Sequence, residues 1–534
     1  MSLPRATRDF DYVIIGAGSS GCVLAGRLAQ ANAGSIAVIE AGGRRWPKFT
    51  AIPAAVVRTI GNPRYDWMYR SEPDPSRNGR SELWPRGKGP GGSSLINGMI
   101  FVRGNAVDYD AWEAAGATGW SHAGVLPYFT SMESSEYSSP GRGQTGPQHV
   151  SKQRYRFALT QPFIDAAQAV GIPFNRDING PVQYGVGHVQ VIQKNGRRED
   201  AYDSFLAPAV RAGKVALIEH ARAERIMFDG RRACAVLVQR DGKLETITAR
   251  KRVVLSAGAI NSPQLLMLSG VGPAAMLREH GIEVLQDAPE VGQNLMEHPA
   301  VWMRIEVDTP TLNQEATPMR MAAAMLRWFA GHGPATASTA QAVGFIDTLG
   351  SQNRPDLQIH FMPLSIERGP HGARLPPRRM MGLVPSVNRP ESRGSIVLRS
   401  NHPAEAPLIN PLLLSARADL DALARGVRLC ERILAAAPLA QHVIARDNQP
   451  PAEDGAAMDE YLRNMAAPAY HPVGTCRMGS DARAVVDPML RVRGLQGLAV
   501  VDASIMPVHV SGNTHAASMM IGEKAASLFK NETD

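Results

Sequence analysis

Cysteine is scarce in this sequence. Cys22, Cys234, Cys430 and Cys476 stand far apart and form no C-x-x-C. That excludes a disulfide framework, leaves no zinc-ligand spacing and fits a reducing compartment, so no metal centre is expected. No apolar run is long enough to cross a bilayer. Only a few polar residues precede the apolar pattern that begins at Asp11, too few for a signal peptide, and the expected location is cytoplasmic. Runs of Lys or Arg are lacking too. The formal charge of +8 is spread over the whole length, so nucleic acid is not an expected partner. Two stretches are candidates for contact with a partner or with the surface of the inner membrane. Residues 374–381 (RLPPRRMM) mix cations with apolar side chains, as a surface loop touching anionic lipid would. Residues 319–330 (MRMAAAMLRWFA) read as an apolar helix stopped by Gly331 and Gly333. A core or interface helix is the plainer reading of the second stretch, and a membrane-facing helix the sharper one.

What is plentiful is ordinary globular composition. Hydrophobic residues at 44% and charged residues at 20% are those of a soluble protein able to bury a large core. At 534 residues the chain exceeds one ordinary domain, so two domains or one elaborated domain are expected.

The first forty residues carry the clearest pattern. Residues 11–15 read as a buried strand, Gly16-Ala17-Gly18-Ser19-Ser20-Gly21 as a tight turn and residues 22–31 as a helix; residues 35–39 give a second strand with Glu40 at its end. A G-x-G-x-x-G between strand and helix, with an acid at that distance, is the pattern of a dinucleotide site. Gly16 permits the turn, and Gly18 lets the backbone approach a pyrophosphate. Gly21 allows close packing of helix on sheet while helix N-terminal N–H groups receive the anion. A carboxylate at Glu40 would accept both ribose hydroxyls and repel a 2'-phosphate. An ordinary glycine turn is the plain alternative, and at this point NAD and FAD are not distinguished.

Residues 46–85 are irregular, punctuated by Pro and Gly, and contain Asp66-Trp67-Met68-Tyr69. A second glycine-rich strip follows at residues 86–98 (RGKGPGGSSLING). Its bare backbone, hydroxyls and two cations suit a long anionic cofactor lying across it. A flexible linker would not run straight into Leu95-Ile96 and residues 99–102. Helices are expected at residues 108–115 and 162–169, and strands at 215–219, 233–239 and 252–256. The last strand runs into Ala257-Gly258-Ala259 and a helix at 264–268. A second strand-to-glycine-to-helix unit so far along belongs more to a flavin-binding fold interrupted by insertions than to a simple NAD fold. Composition changes near residue 300. Strands of a second sheet are expected at 341–347, 357–361 and 395–399, and helices at 418–436 and 459–465.

Seven motifs then occur in order: GAGSSG with Glu40, RGKGPGGSSLINGMIFVRG from Arg86, SAGAINSPQLLMLSGVG from Ser256, VGQNLMEHP from Val291, ESRGSIVLRS from Glu391, HPVGTCRMG from His471, and VVDASIMPVHVSGNTHAASMMIGEKAA from Val500. On these motifs the chain resembles the glucose-methanol-choline oxidoreductases over nearly its whole length. Within them it is most similar to the bacterial choline-dehydrogenase and aliphatic-alcohol-dehydrogenase branch. The resemblance implies an α/β fold with a Rossmann-like FAD-binding domain, discontinuous over residues 1–155, 201–300 and 466–534. An α+β substrate domain built on an antiparallel sheet would be inserted over residues 156–200 and 301–465.

FAD is the implied cofactor. By the resemblance, Gly16, Gly18, Ser19 and Ser20 would hold the pyrophosphate, Glu40 and Ala41 the adenosine ribose, and Trp67 and Ala223 the adenine. Gly92, Ser93, Asn97, Gly98 and Ile100 would follow the ribityl chain and isoalloxazine ring. Asp502 and Ala503 would return to the flavin, and the run from Thr514 to Ala516 would pass beneath its pyrimidine side. Relatives with covalently attached FAD carry a histidine where this chain has Ile96, so a non-covalent flavin is implied. Pro90 replaces a residue that is usually leucine. Close relatives usually have Asn where this chain has His515, whereas glucose-oxidase-like members have His, so two paired histidines are implied.

Oxidising an alcohol requires its hydroxyl proton to leave and a hydride to move from carbon to flavin N5. A histidine with a pKa near 6.5 is neutral and receptive at working pH, and the resemblance gives this task to His471. His515 would hydrogen-bond the same oxygen and hold the carbon over N5, or would stand one layer behind. Two cationic imidazoles repel, so the pair should share at most about one proton near neutrality. Activity should then fall below pH roughly 6 to 7. Phe361 and Met362 are candidate pocket walls that would favour a substrate with a hydrophobic body over a charged choline; no cluster of aromatics with a carboxylate is evident for a quaternary ammonium. The expected activity is oxidation of a primary alcohol to the aldehyde, with electrons passing to oxygen or a quinone or dye acceptor. A hydroxynitrile-lyase-type reaction on the same scaffold and a non-catalytic flavoprotein are the alternatives.

Overall fold

Val13, Ile14, the strand Ile36–Ile39 and residues 253–255 are apolar at consecutive positions, as strands buried on both faces must be. In the computed structural model, which describes residues 6–44, 49–315, 318–351, 354–369 and 372–531, they lie side by side. Residues 45–48, at the start of the irregular stretch, fall outside the described residues, as does the side chain of Arg374. Ala6–Ile15 pairs in parallel with Ile36–Ile39 on one side and Lys243–Leu255 on the other. Val215–Ile218 extends the sheet beyond Ile36–Ile39, and Leu498–Val500 runs parallel to residues 253–255. The first half of Lys243–Leu255 instead pairs antiparallel with Arg232–Arg240, which pairs with Ala221–Asp229. The sheet is therefore mixed, with its parallel strands all ending at one edge. There the chain passes into Gly16, Glu40, Ser256 and Val501-Asp502.

The helix after the first strand, Ser19–Gln30, packs against the helix that closes the described chain, His515–Asn531. Ser20 Oγ donates to the Ser518 carbonyl at 2.7 Å, and Arg27 pairs with Glu523 at 2.8 Å. A third helix, Gly258–Leu268, begins earlier than its sequence indicates because Pro263 lies inside it. Proline cannot donate to the Ala259 carbonyl. The Thr475 hydroxyl does so instead, at 2.6 Å.

The second sheet is antiparallel, in the order Val443–Asp447, Met303–Val307, Met380–Val387, Leu357–Met362, Ala342–Ile346 and Gly185–His188. Pro299–Val301 joins it to Ala466–Pro468. The helices Arg417–Ala435 and Thr160–Ala169 cover one face, and a cleft opens on the other.

Three sequence expectations change. Ser395–Val397 is not in this sheet. It pairs with Leu408–Asn410 as a separate ribbon, because Gly394 exchanges backbone hydrogen bonds with Leu295 and draws the segment away. Residues 374–381 are no lipid-touching loop. Met380 and Met381 open a fully buried strand, and Arg378 is held by Glu306 (2.8 Å) and Asp447 (3.1 Å) on neighbouring strands. Pro318–Phe329 is a surface helix, not a core one. Ala324 and Trp328 pack on Ala51 and Ala335, while Met319, Leu326 and Phe329 are 86%, 74% and 68% exposed. Among the described residues no helix is long and apolar enough to cross a membrane.

Candidate active site

Between the ends of the parallel strands and the open face of the antiparallel sheet lies a cleft of about 1200 Å³. The first turn (Gly16, Gly18, Ser19, Ser20) lines it together with Glu40 and Ala41, and Trp67 and Ala223 also border it. Gly92, Ser93, Asn97, Gly98 and Ile100 contribute the second glycine strip, while Asp502, Ala503, Thr514, His471, His515 and Met362 complete the set. The two glycine segments touch. Gly92 has φ +52°, and a Cβ there would stand 2.7 Å from Gly18 Cα. Only glycine permits both that conformation and that approach.

Local bonds fix the polar groups. Glu40 accepts the Ala17 and Gly42 N–H groups at 3.0 and 2.9 Å, which holds its carboxyl at the cleft even though burial raises its pKa. Trp67 lies parallel to Tyr69 with Lys88 Nζ 4.9 Å from its ring. Asn97 Oδ1 accepts from Met99 N–H and from the buried Arg198. The Asp502 carboxylate accepts from Gly258 N–H, the Ser262 hydroxyl and Ser504 N–H, which ties the last parallel strand to the helix Gly258–Leu268. Ile96 also lines the cleft, and its aliphatic side chain offers no atom for a covalent link.

Histidines crowd the other part of the cleft. His298 Nε2 lies 3.0 Å from the Asn388 carbonyl, which can only accept, so this nitrogen carries the hydrogen. In a neutral ring His298 Nδ1 is then an acceptor. It faces His471 Nδ1 at 3.0 Å, so His471 donates from Nδ1 and keeps a lone pair on Nε2. That lone pair meets Asn513 Nδ2 at 3.0 Å, and Gln358 Nε2 holds Asn513 Oδ1 at 3.3 Å. Every member of the chain from Asn388 to Asn513 thus has a fixed donor and acceptor. The backbone of His471 is held as well, with its N–H on Glu297 Oε1 at 2.8 Å and its carbonyl on His509 Nε2 at 2.9 Å.

Burial controls the charges. It pushes the His471 pKa well below the ordinary value, helped by His509, His360 and Arg86. Burial, followed by the neighbouring His509 and His471, does the same to His298. His360 is lowered to about 4 by burial, as is His509. Glu297 is pushed up to about 8, again chiefly by burial, so it is a neutral acid at pH 7.

The expected pairing of His471 with His515 is corrected by this geometry: the partner of His471 Nε2 is Asn513, two residues earlier, whereas His515 Nδ1 lies 3.0 Å from Ser19 Oγ. Phe361 is not a pocket wall. Successive side chains of a strand point to opposite faces, so His360 and Met362 face the cleft, while Phe361 stacks on Phe163 at 4.8 Å in the core behind it. Ala516 is likewise buried in the core, because Thr514, His515 and Ser518 present the cleft-facing side of their helix. Asn513, His298, Glu297 and His509 received no role from the sequence, and His360 only one as part of the candidate pocket segment 358–362. Asn513 and the Glu297-His298 pair lay inside the motifs SGNTH and MEHP, but nothing in those strings says what they touch.

Beyond His360 the cleft wall is apolar, formed by Ala300, Trp302, Met362, Leu364, Leu375 and Val384. Among its described lining residues the carboxylates are Glu40, Glu82, Glu405 and Asp502. Each already has a partner: Glu82 pairs with Arg77, Glu405 accepts from Ser400, and Glu40 and Asp502 accept the bonds given above.

GMC oxidoreductase domains match residues 10–300 and 390–522. The chain belongs to the GMC oxidoreductases. An uncharacterized GMC-type oxidoreductase of Mycobacterium tuberculosis is 40% identical over 532 residues, covering 98% of this chain and 99% of the relative. An oxygen-dependent choline dehydrogenase of Brucella suis is 39% identical over 534 residues, covering 98% and 96%. Among solved structures, pyridoxine 4-oxidase from Mesorbium loti superposes with a TM-score of 0.89 at 28% identity, over 98% of this chain and 100% of that one. FAD is the cofactor of this GMC flavoprotein. The cleft fits it: two glycine segments in contact, a carboxyl at the end of the second strand, and an apolar wall near the histidines of the same cleft.

Proposed function

We propose that this GMC oxidoreductase converts a primary alcohol with an apolar body to its aldehyde. The observation that carries this reading is the His471 Nε2 lone pair, fixed toward the cleft beside the Asn513 amide. A substrate hydroxyl inserted between them gives its proton to His471 Nε2 and keeps its oxygen on Asn513 N–H. Bound FAD supplies the acceptor for the hydride that leaves the carbinol carbon, so loss of one proton and one hydride leaves the aldehyde. As the ring becomes cationic, its Nδ1–H remains on His298 Nδ1, a charge-assisted bond that strengthens as the reaction proceeds. The wall of Trp302, Met362, Leu364, Leu375 and Val384 excludes water and takes up the substrate body. Relatives named choline dehydrogenase and pyridoxine 4-oxidase support a CH–OH donor. The held carboxylates favour an uncharged substrate over a quaternary ammonium. A flavin held without a covalent link, with oxygen or a quinone as the final acceptor, completes the proposal.

The test is anaerobic addition of an alcohol panel to the yellow holoenzyme. Bleaching by apolar primary alcohols, with fast recolouring in air for an oxidase or slow recolouring for a dehydrogenase, is the expected result. No bleaching by any member of the panel refutes it.

A further inference from the structure

His515 is the first residue of the helix His515–Asn531, and Ser19 is the first residue of the helix Ser19–Gln30. The two helix N-termini meet at the cleft, with Ser19 Oγ 3.0 Å from His515 Nδ1. Gly18, which precedes Ser19, provides no side-chain cap, so the first N–H groups of that helix face the cleft without a side-chain partner. The His515 ring is only 8% exposed, and its Nε2 is buried with no hydrogen-bond partner in the protein while the residue lines the cleft. A buried ring nitrogen left in this way is costly unless a ligand satisfies it.

We infer that His515 is a ligand of the FAD pyrophosphate rather than a partner of His471. The hydrogen-bond arithmetic selects the state required. If the Ser19 hydroxyl donates to Nδ1, the neutral ring carries its hydrogen on Nε2 and donates into the cleft. The opposite tautomer would present a lone pair to the anion. A phosphate oxygen beside two helix N-termini favours the first arrangement. Burial and the nearby Arg198 charge lower the His515 pKa to about 4, so the ring is neutral before an anion arrives; a pyrophosphate beside it would favour the protonated ring, which also carries a hydrogen on Nε2.

The test reads free FAD by fluorescence as holoenzyme is diluted, and displacement of FAD by added ADP, which has the pyrophosphate without the flavin. His515→Leu keeps volume and loses the donor. It should weaken FAD and ADP by the same factor, about 10-fold or more, the scale of a hydrogen bond to a charged group. His515→Gln, which keeps an N–H donor, should stay within about 3-fold of wild type. Weakening of FAD without weakening of ADP would place the ring against the flavin half and overturn the inference. Unchanged retention of both ligands, or failure of glutamine to recover what leucine loses, would overturn it too. Should the leucine variant not fold, His515→Ala, which needs no added room, is read in the same way.

Discussion

Replacing His298 by Phe tests the hydrogen-bond chain behind the proposed base. Phenylalanine keeps the ring that lies 3.6 Å, centroid to centroid, from His509, but removes the acceptor that faces His471 Nδ1 at 3.0 Å. The His471 Nδ1–H is then buried without a partner, and its loss matters most when the ring is cationic. A hydrogen bond to a charged group contributes about 1.5–3 kcal/mol, which at about 1.4 kcal/mol per decade is roughly a 10- to 100-fold slower step. Anaerobic stopped-flow reduction of the bound flavin by a good alcohol is the assay, because it isolates proton and hydride removal from reoxidation. FAD content should stay near that of wild type. His298→Asn, which returns an acceptor oxygen close to the position of Nδ1, should recover most of the rate. A His298→Phe enzyme that reduces its flavin within about 3-fold of wild type would show that His471 does not depend on His298 for its protonation state.

Three further outcomes follow from the same geometry. His471 acts while neutral and its pKa lies well below 6.5, so the flavin reduction rate should stay level as pH falls through 7 and 6 and decline only at lower pH; a limb at 7 or above in the pH profile refutes this, and the earlier onset expected from an unperturbed histidine is replaced. Phe361→Ala should lower unfolding stability by about 3–5 kcal/mol in denaturant titrations and leave the ranking of alcohols unchanged, while Met362→Ala, which removes part of the cleft wall, should change that ranking; a changed ranking for Phe361→Ala would put that ring in the pocket after all. Glu297 binds its proton more tightly folded, at about 8, than unfolded, at 4.5, so the stability of wild type is lost as pH rises from 4.5 through 8. Glu297→Gln lacks that loss, and its stability relative to wild type should rise by a few kcal/mol, at most about 5, between pH 5 and 8 and then level off. A pH-independent difference would mean that the carboxyl ionises freely.

The glycine turn and the acid at one end of the cleft were legible because their constraints are local. Gly16 to Glu40 encode strand, turn, helix and acid within one stretch, and the turn works through backbone geometry that only glycine allows. The histidine end of the cleft, where the chemistry is proposed, was only half legible. His471 was found through the resemblance, but Asn513 and His515 differ by two positions in one loop, and which of them meets His471 depends on how the loop enters its helix. The choice between Phe361 and Met362 turned on strand phase, and an almost wholly apolar strand such as Leu357–Met362 carries no alternation from which to read it. Met380–Val387 was missed for a related reason. Arg378 before it looked solvent-exposed, yet its acidic partners Glu306 and Asp447 lie on strands far away in sequence.

The contact between Ser19 and His515 joins residues 496 positions apart, and Arg27 with Glu523 repeats the span. The glycine turn is therefore made 496 residues before the first residue of the helix that closes over it. A nascent chain carries an open half-site until those later residues emerge. Until the two helices meet, their apolar faces are exposed to chaperones or to aggregation. Removing residues 515–531 should thus cost the protein its yellow colour before it costs any residue of the first turn.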